Sequence, residues 1–373
     1  MTTEQAFWSL LKAGLWEQAP QGFDAPLMEE QWNALLQMAQ EQTLQGVLYD
    51  GMCLLPEELQ PSQAFRLKWF WNVNKIEQTN RLINRVLVEF LEKLEAEGIR
   101  PLLLKGQSNA ALYPKPLHRQ CGDIDLFIGR KDYPKACALV REWGMSDDED
   151  EESLKHLHCD WQGVTIELHR VAAIFPWPSK QRYFLQWSEE VLESSEESFI
   201  PTTEEKPVRI PTLVFNVLFV FYHMYNHFLN IGVGLRQLCD CARLLHVYAE
   251  QLDVKELEER LQQLELMYPW QVFGTLLVQR MGLPETECPF YKNEAKKAEK
   301  VLAVIEREGN FGQHTGKKKP NTGNFVWKKM KRFWYNTERY PKVMRLFPKD
   351  TLQCYGFFLI DRGKLFIDHF KKK

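Results

Sequence analysis

The 373-residue sequence has no run of about 18 uninterrupted apolar residues, the length a helix needs to cross a bilayer, so no transmembrane helix is expected. Its first 20 residues carry polar and acidic groups where a secretory leader would have a basic start and an apolar core. Cysteine is present eight times but never as Cys-x-x-Cys. The one close pair, Cys239-x-Cys241, would point about 200° apart on a helix, which argues against joint ligation of a metal. No internal repeat is visible. These absences lead us to expect a cytoplasmic protein with reduced, mostly buried thiols.

What is present is ordinary for a globular chain: 45% apolar and 26% charged residues, with 12 Trp and 23 Phe to fill an aromatic-rich interior. The length suggests two or three domains. Net charge is only -3, but it is unevenly spread. From Phe311 to Lys373 there are 16 Lys and Arg against 4 Asp and Glu, which leaves an excess of negative charge on the rest. Such asymmetry predicts either an anionic partner for the tail or its packing on an acidic body.

Apolar residues at helical spacing predict helices over Thr3–Leu15, Met28–Gln40, Gln45–Leu54 and, longest, Pro61–Gly98. Nothing in this first third carries recognisable chemistry. Strands and helices alternate from 99 to 205, and helices return over 212–228, 234–248, 253–265 and 294–308. The expected architecture is α+β: an N-terminal helical region (1–98), a small mixed-sheet core (99–205), a C-terminal helical domain (206–312) and a basic, aromatic-rich tail (313–373). In the core, Asp132 is expected to cap a helix running to Trp143. Ser146–Ser153 is an acidic run that reads as a solvated loop, and 201–207 reads as a linker.

The chemistry concentrates in two stretches. Pro101–Leu104 is an apolar strand that ends at Lys105-Gly106, where a glycine lets the backbone approach something closely. After it, Asp123-Ile124-Asp125-Leu126-Phe127-Ile128 alternates strictly, so both carboxylates share one face, roughly 7 Å apart. Neighbouring carboxylates repel unless a cation lies between them, and Mg²⁺ (or Mn²⁺), which takes oxygen ligands, is the economical choice. A hairpin follows, turning at Gln162-Gly163, in which Glu167 faces His158 and Thr165 faces Asp160. Glu167 is then a third carboxylate, with His158 and His169 beside it either satisfying the carboxylates or orienting them. Two alternating carboxylates with a third on a later strand is the layout for two-metal phosphoryl chemistry. Lys105 and Arg119 supply cations for phosphates, and the amides of Gly106–Ser108 with the Ser108 hydroxyl supply a phosphate contact. Arg236 either pairs with Asp240 at i, i+4 or meets the base or triphosphate. His223 and His227 have the spacing of a zinc pair, but with no third ligand in view they read as core or interface histidines.

These residues carry a resemblance. Lys105-Gly106, Tyr113-Pro114, Arg119, Gly122-Asp123-Ile124-Asp125-Leu126, Ile166-Glu167-Leu168-His169, the Gly234–Asp240 stretch and Glu308–Gly312 together resemble a bacterial family of nucleotidyltransferases with a polymerase-β-like core. The resemblance covers about residues 100–312, and Gly-Asp-x-Asp-Leu is its most specific part. It implies transfer of a nucleoside monophosphate from an NTP, with Mg²⁺, to a hydroxyl acceptor that is a small molecule, a protein or RNA. Where the superfamily usually places Gly or Ser directly after the turn glycine, Gln107 intervenes here before Ser108. Two alternatives share the fold: a nucleotide-binding interaction protein without turnover, and a tRNA-modifying, toxin-like enzyme, supported by the basic tail.

Overall fold

The computed structural model describes residues 1–146, 156–198, 206–309 and 339–357. Most of the acidic run, most of the 201–207 linker, residues 310–312 and the Trp327–Tyr335 part of the basic tail lie outside them.

The N-terminal third folds as α1 (Thr3–Trp16), α2 (Glu29–Glu41), α3 (Gln45–Cys53) and α4 (Gln63–Ala96). Thr2 and Gln5 close a capping box at the start of α1. Gly14 and Gly51 let α1 and α3 cross in contact, since a Cβ at either would stand 2.0 Å from a backbone carbonyl oxygen of the other helix. At about 1.5 Å per residue, α4 is roughly 50 Å long and serves two interiors. Phe65, Trp69 and Val73 join the larger apolar core, and Ile83, Val86, Leu87, Phe90, Leu91 and Leu94 join a smaller one beneath the sheet.

Among the described residues the sheet has four strands: β1 (Leu102–Leu103), β2 (Ile124–Phe127), β3 (His156–Trp161) and β4 (Val164–His169). Their order is β1-β2-β4-β3. β1 is antiparallel to β2, β2 is parallel to β4, and β3 and β4 form the expected hairpin with His158 opposite Glu167 and Thr165 opposite Asp160. Between β1 and β2 lies a single helical turn, α5 (Gln107–Ala110). After β2 comes α6 (Gly129–Glu142), whose start corrects one expectation. Asp132 is inside its first turn and caps nothing. Gly129, at φ 79°, turns the chain directly from strand to helix, and Glu189 of α7 (Pro178–Ser194) accepts from the Arg130 amide in a cap's place. A two-strand ribbon, β5 (Glu197–Ser198) with β6 (Val208–Arg209), leads to the C-terminal helices.

These are α8 (Leu213–Asn230), α9 (Leu235–Val247), α10 (Val254–Gln263), α11 (Met267–Leu276) and α12 (Ala295–Glu308). α8 is buried on nearly every side, and the N- and C-terminal helices contribute to one continuous apolar core around it. Part of the basic tail is packed on this body. Residues 339–344 and 348–357 are helical, Phe347 enters the core against Tyr225, and Arg339 forms a buried ion pair with Glu308 at 2.9 Å. Among the described residues, no helix is long and apolar enough to cross a membrane.

Candidate active site

The parallel pairing of β2 with β4 sets Asp125 directly beside Glu167. Asp123 precedes β2, and the strand ladder continues past β1 through the Leu104 amide, which donates to the Asp125 carbonyl at 3.0 Å. The chain then turns at Gly106 (φ 73°), where a Cβ would come within 3.3 Å of the Asp123 carbonyl oxygen. This close approach places Lys105 over the acidic strand. Its Nζ stands 2.5 Å from Asp125 Oδ2 and 3.7 Å from Asp123 Oδ1. The cation that the two carboxylates demand is therefore supplied by the chain itself. From the sequence, Lys105 was expected to face phosphates; here it stands among the acids.

Asp125 is 1% exposed and lies below the cavity surface, with His169 Nε2 at 2.9 Å from its other oxygen. Burial alone would raise its pKa, but Lys105 and His169 outweigh that and hold it at about 2. Glu167 follows the same logic: burial raises it, while the His169 hydrogen bond and the charges of His156, His169 and Lys105 bring it to about 2. Burial works against the Lys105 ammonium, yet Asp125 and Asp123 raise its pKa above the ordinary lysine value.

Three imidazoles gather on Glu167. His169 Nε2 is 3.3 Å from Oε2, His158 Nδ1 3.4 Å from Oε1, and His156 Nδ1 3.8 Å from Oε2. From the sequence, only His158 and His169 were expected beside Glu167, and His156 was omitted. The signal was there: His156-Leu157-His158 places two histidines on one face of a strand.

Asp123, Glu167, Lys105 and Gly106 open onto a cavity of about 780 Å³ whose opposite wall is α8 and α9. α8 turns His223, Asn226, His227 and Asn230 toward it, at i, i+3, i+4 and i+7. The two histidine rings lie 4.2 Å apart, in the cavity wall and not in the core. Arg119 and Arg236 also line the cavity, with different partners from those expected. Asp240 pairs with Arg119, through 3.0 and 2.5 Å contacts, and accepts a third hydrogen bond from the Tyr113 hydroxyl. Arg236 donates instead to the Gln120 carbonyl. Burial and the neighbouring Arg119 charge lower the Arg236 pKa, so an anion beside it would be welcome. Ser108 is buried within α5 and is not in the cavity wall, where Asn109 stands. A single turn of helix brings Asn109, one residue further on, to the surface that the serine was expected to occupy.

The loop carrying Arg119 is tied to the N-terminal helices. Asn80 donates to the Leu117 and Arg119 carbonyls at 2.7 and 2.9 Å. His118 lies between Asp50 and Glu77, each 2.8 Å away, and Lys115 also reaches Asp50 at 2.8 Å. Burial would lower the His118 pKa, but these carboxylates raise it overall. A histidine with a raised folded-state pKa contributes stability that is complete below its unfolded value of about 6.5. That contribution is lost as pH rises through the higher folded value. We therefore expect urea midpoints of the wild type to fall on passing from about pH 6 to pH 8.5. His118→Gln should show a flatter profile; an unchanged slope would remove His118 as its source.

As a donor set, Asp123, Asp125 and Glu167 offer only oxygens, the type that Mg²⁺ or Mn²⁺ takes. Among the described residues, two groups of three bring one ligand atom each within 4.8 Å of one another: Asp125, Glu167 and His169, and His156, His158 and Glu167. No curated protein and no solved structure matches the chain. A family model described as uncharacterised nucleotidyltransferase matches residues 28–282, more than half the chain and including every site residue above. With an acidic strand pair facing a cation-lined cavity, and a match of that extent, the chain belongs to the uncharacterised nucleotidyltransferase family.

Proposed function

We propose that the protein is a Mg²⁺-dependent nucleotidyltransferase that moves a nucleoside monophosphate from an NTP to a hydroxyl acceptor. The observation that carries the reading is the β2–β4 register, which sets Asp125 beside Glu167 at the edge of a cavity walled by Arg119 and Arg236. Asp123, Asp125 and Glu167 would hold the divalent ions, whose chemistry is to neutralise the triphosphate and acidify the attacking hydroxyl. Asp125 and Glu167, both held at about 2, are ionised at neutral pH and ready for that role. His169 orients the two by hydrogen bonding to each. Lys105 has a flexible stem and three donors, so it can leave the carboxylates for a phosphate oxygen without losing contact with the site. Arg236 is the second phosphate or base contact. Arg119 acts mainly by holding Asp240 and hence α9 against the sheet. The acceptor would enter between the sheet and the polar stripe of α8.

One observation favours a second reading, a nucleotide-binding protein without turnover: Lys105 already neutralises the acidic pair. The two separate in a labelling screen with each of four radiolabelled NTPs against small-molecule, protein and RNA fractions. The enzyme reading expects label in one fraction that disappears with a chelator. Nucleotide binding that is indifferent to chelator, with no fraction labelled, would leave the second reading standing. Label concentrated in RNA would instead support a tRNA-modifying enzyme.

A further inference from the structure

We propose a second metal site, distinct in chemistry from the magnesium site, formed by His156 and His158 of β3 with Glu167 of β4. It takes a borderline transition ion such as Zn²⁺, Co²⁺ or Ni²⁺, and it shares Glu167 with the acidic centre. The hairpin register builds it. His156 and His158 alternate onto one face of β3, and His158 is directly opposite Glu167. His158 Nδ1 is 3.4 Å from Glu167 Oε1 and His156 Nδ1 is 3.8 Å from Oε2, while the two rings also meet through their Nε2 atoms at 3.0 Å. Ligand atoms of a tetrahedral ion at 2.0–2.1 Å stand about 3.3 Å from one another, so the 3.4 and 3.8 Å Nδ1-to-carboxylate spacings are close to those of donors around one ion. All three ligand atoms lie within 4.8 Å of one another.

Donor type and access separate this site from its neighbour. Two imidazoles and a carboxylate suit zinc, cobalt or nickel, whereas magnesium prefers oxygens and water. The other three-residue group, Asp125 with Glu167 and His169, belongs to the acidic centre already described, where Asp125 is 1% exposed beside Lys105 and His169. The His156–His158 edge is open, with the His158 side chain 51% exposed, so an ion can enter from solvent and water can complete its coordination. An ion seated there draws on Glu167, so occupancy of this site and of the magnesium site should oppose each other. That last consequence rests on the function proposed above; the binding itself does not.

Titration of the full-length protein with Co²⁺ or Zn²⁺, followed by calorimetry and by the visible absorption of Co²⁺, tests the site. We expect one ion per chain, with affinity weakened about 100-fold or more in His158→Ala, beyond the effect of removing a mere supporting residue. Asp123→Asn should bind as the wild type does. Added Mg²⁺ should weaken Co²⁺ binding if both use Glu167. Binding unchanged in His158→Ala, or no binding by the folded wild type, would overturn the proposal, and the close pair would then be a hydrogen bond between two imidazoles. His158→Asn serves as a second variant at this half-exposed position, checked by circular dichroism. Because the readout is ion binding, a chain that transfers no nucleotide but binds Co²⁺ would sink the enzymatic reading and leave this site intact.

Discussion

The Asp123→Asn/Asp125→Asn double variant is expected to lose NTP-dependent labelling by about 10³-fold or more, since removing one preorganised charge contact alone commonly costs 10²–10³. The two positions should differ in what else they do. The Asp123 side chain is 43% exposed, so Asp123→Asn should leave thermal stability near that of the wild type while lowering activity. Asp125 is sealed beneath Lys105 and His169, so Asp125→Asn also strips a buried ammonium of its closest anion and should lower stability. The pH signs follow from the same contacts. Asp125 and Glu167 are depressed to about 2, so their stabilisation is complete above the unfolded carboxylate values near pH 4 and lost as pH falls towards 2. An acid limb of activity between about pH 5 and 7 would therefore belong to another group, not to these two carboxylates. If the double variant keeps labelling its acceptor, the transfer centre is elsewhere.

The second large effect concerns Asp240. It lies in the interior between Arg119, which it binds bidentately, and Tyr113, with Arg236 close by. Burial alone would push its carboxyl up, but Arg119 holds it below the usual carboxylate range. Asp240→Ala leaves a buried guanidinium unpaired beside a second one. Breaking one side of such a pair costs about 3–5 kcal/mol, which urea unfolding would read as a large drop in midpoint. Replacing both partners, as Arg119→Met/Asp240→Leu, should recover most of that loss, because the desolvation of both charges is removed together. Nucleotide affinity should not recover with it, since the cavity loses a cation and α9 its polar tie to the loop before β2. Equal stability of the single and double variants would show that the unpaired Arg119 charge is not the source of the loss.

Much of the architecture was legible because it rests on local rules. Helical periodicity gave α1 to α4, α8 to α10 and α12 to within a few residues but missed α11, and the Gln162-Gly163 turn fixed the hairpin register by arithmetic. The acidic strand could be read because alternation places Asp123 and Asp125 on one face whatever surrounds them. Local rules failed where a distant partner intervened. The start of α6 moved to Gly129, where Glu189, some 60 residues on, accepts from the Arg130 amide in the first turn.

By itself, then, the sequence determined the α+β composition, the carboxylates Asp123, Asp125 and Glu167, and their likeness to nucleotidyltransferases. Spacing is a property of the chain and survives into any fold. Only the tertiary structure decided which charge answers which. Asp240 has Arg236 one helical turn away but takes Arg119, because the loop tied by Asn80 delivers a guanidinium with better bidentate geometry. Lys105 stands among the acids, because the turn at Gly106 folds it back over β2. Ion pairs are chosen by distance and burial, which spacing along a sequence does not encode.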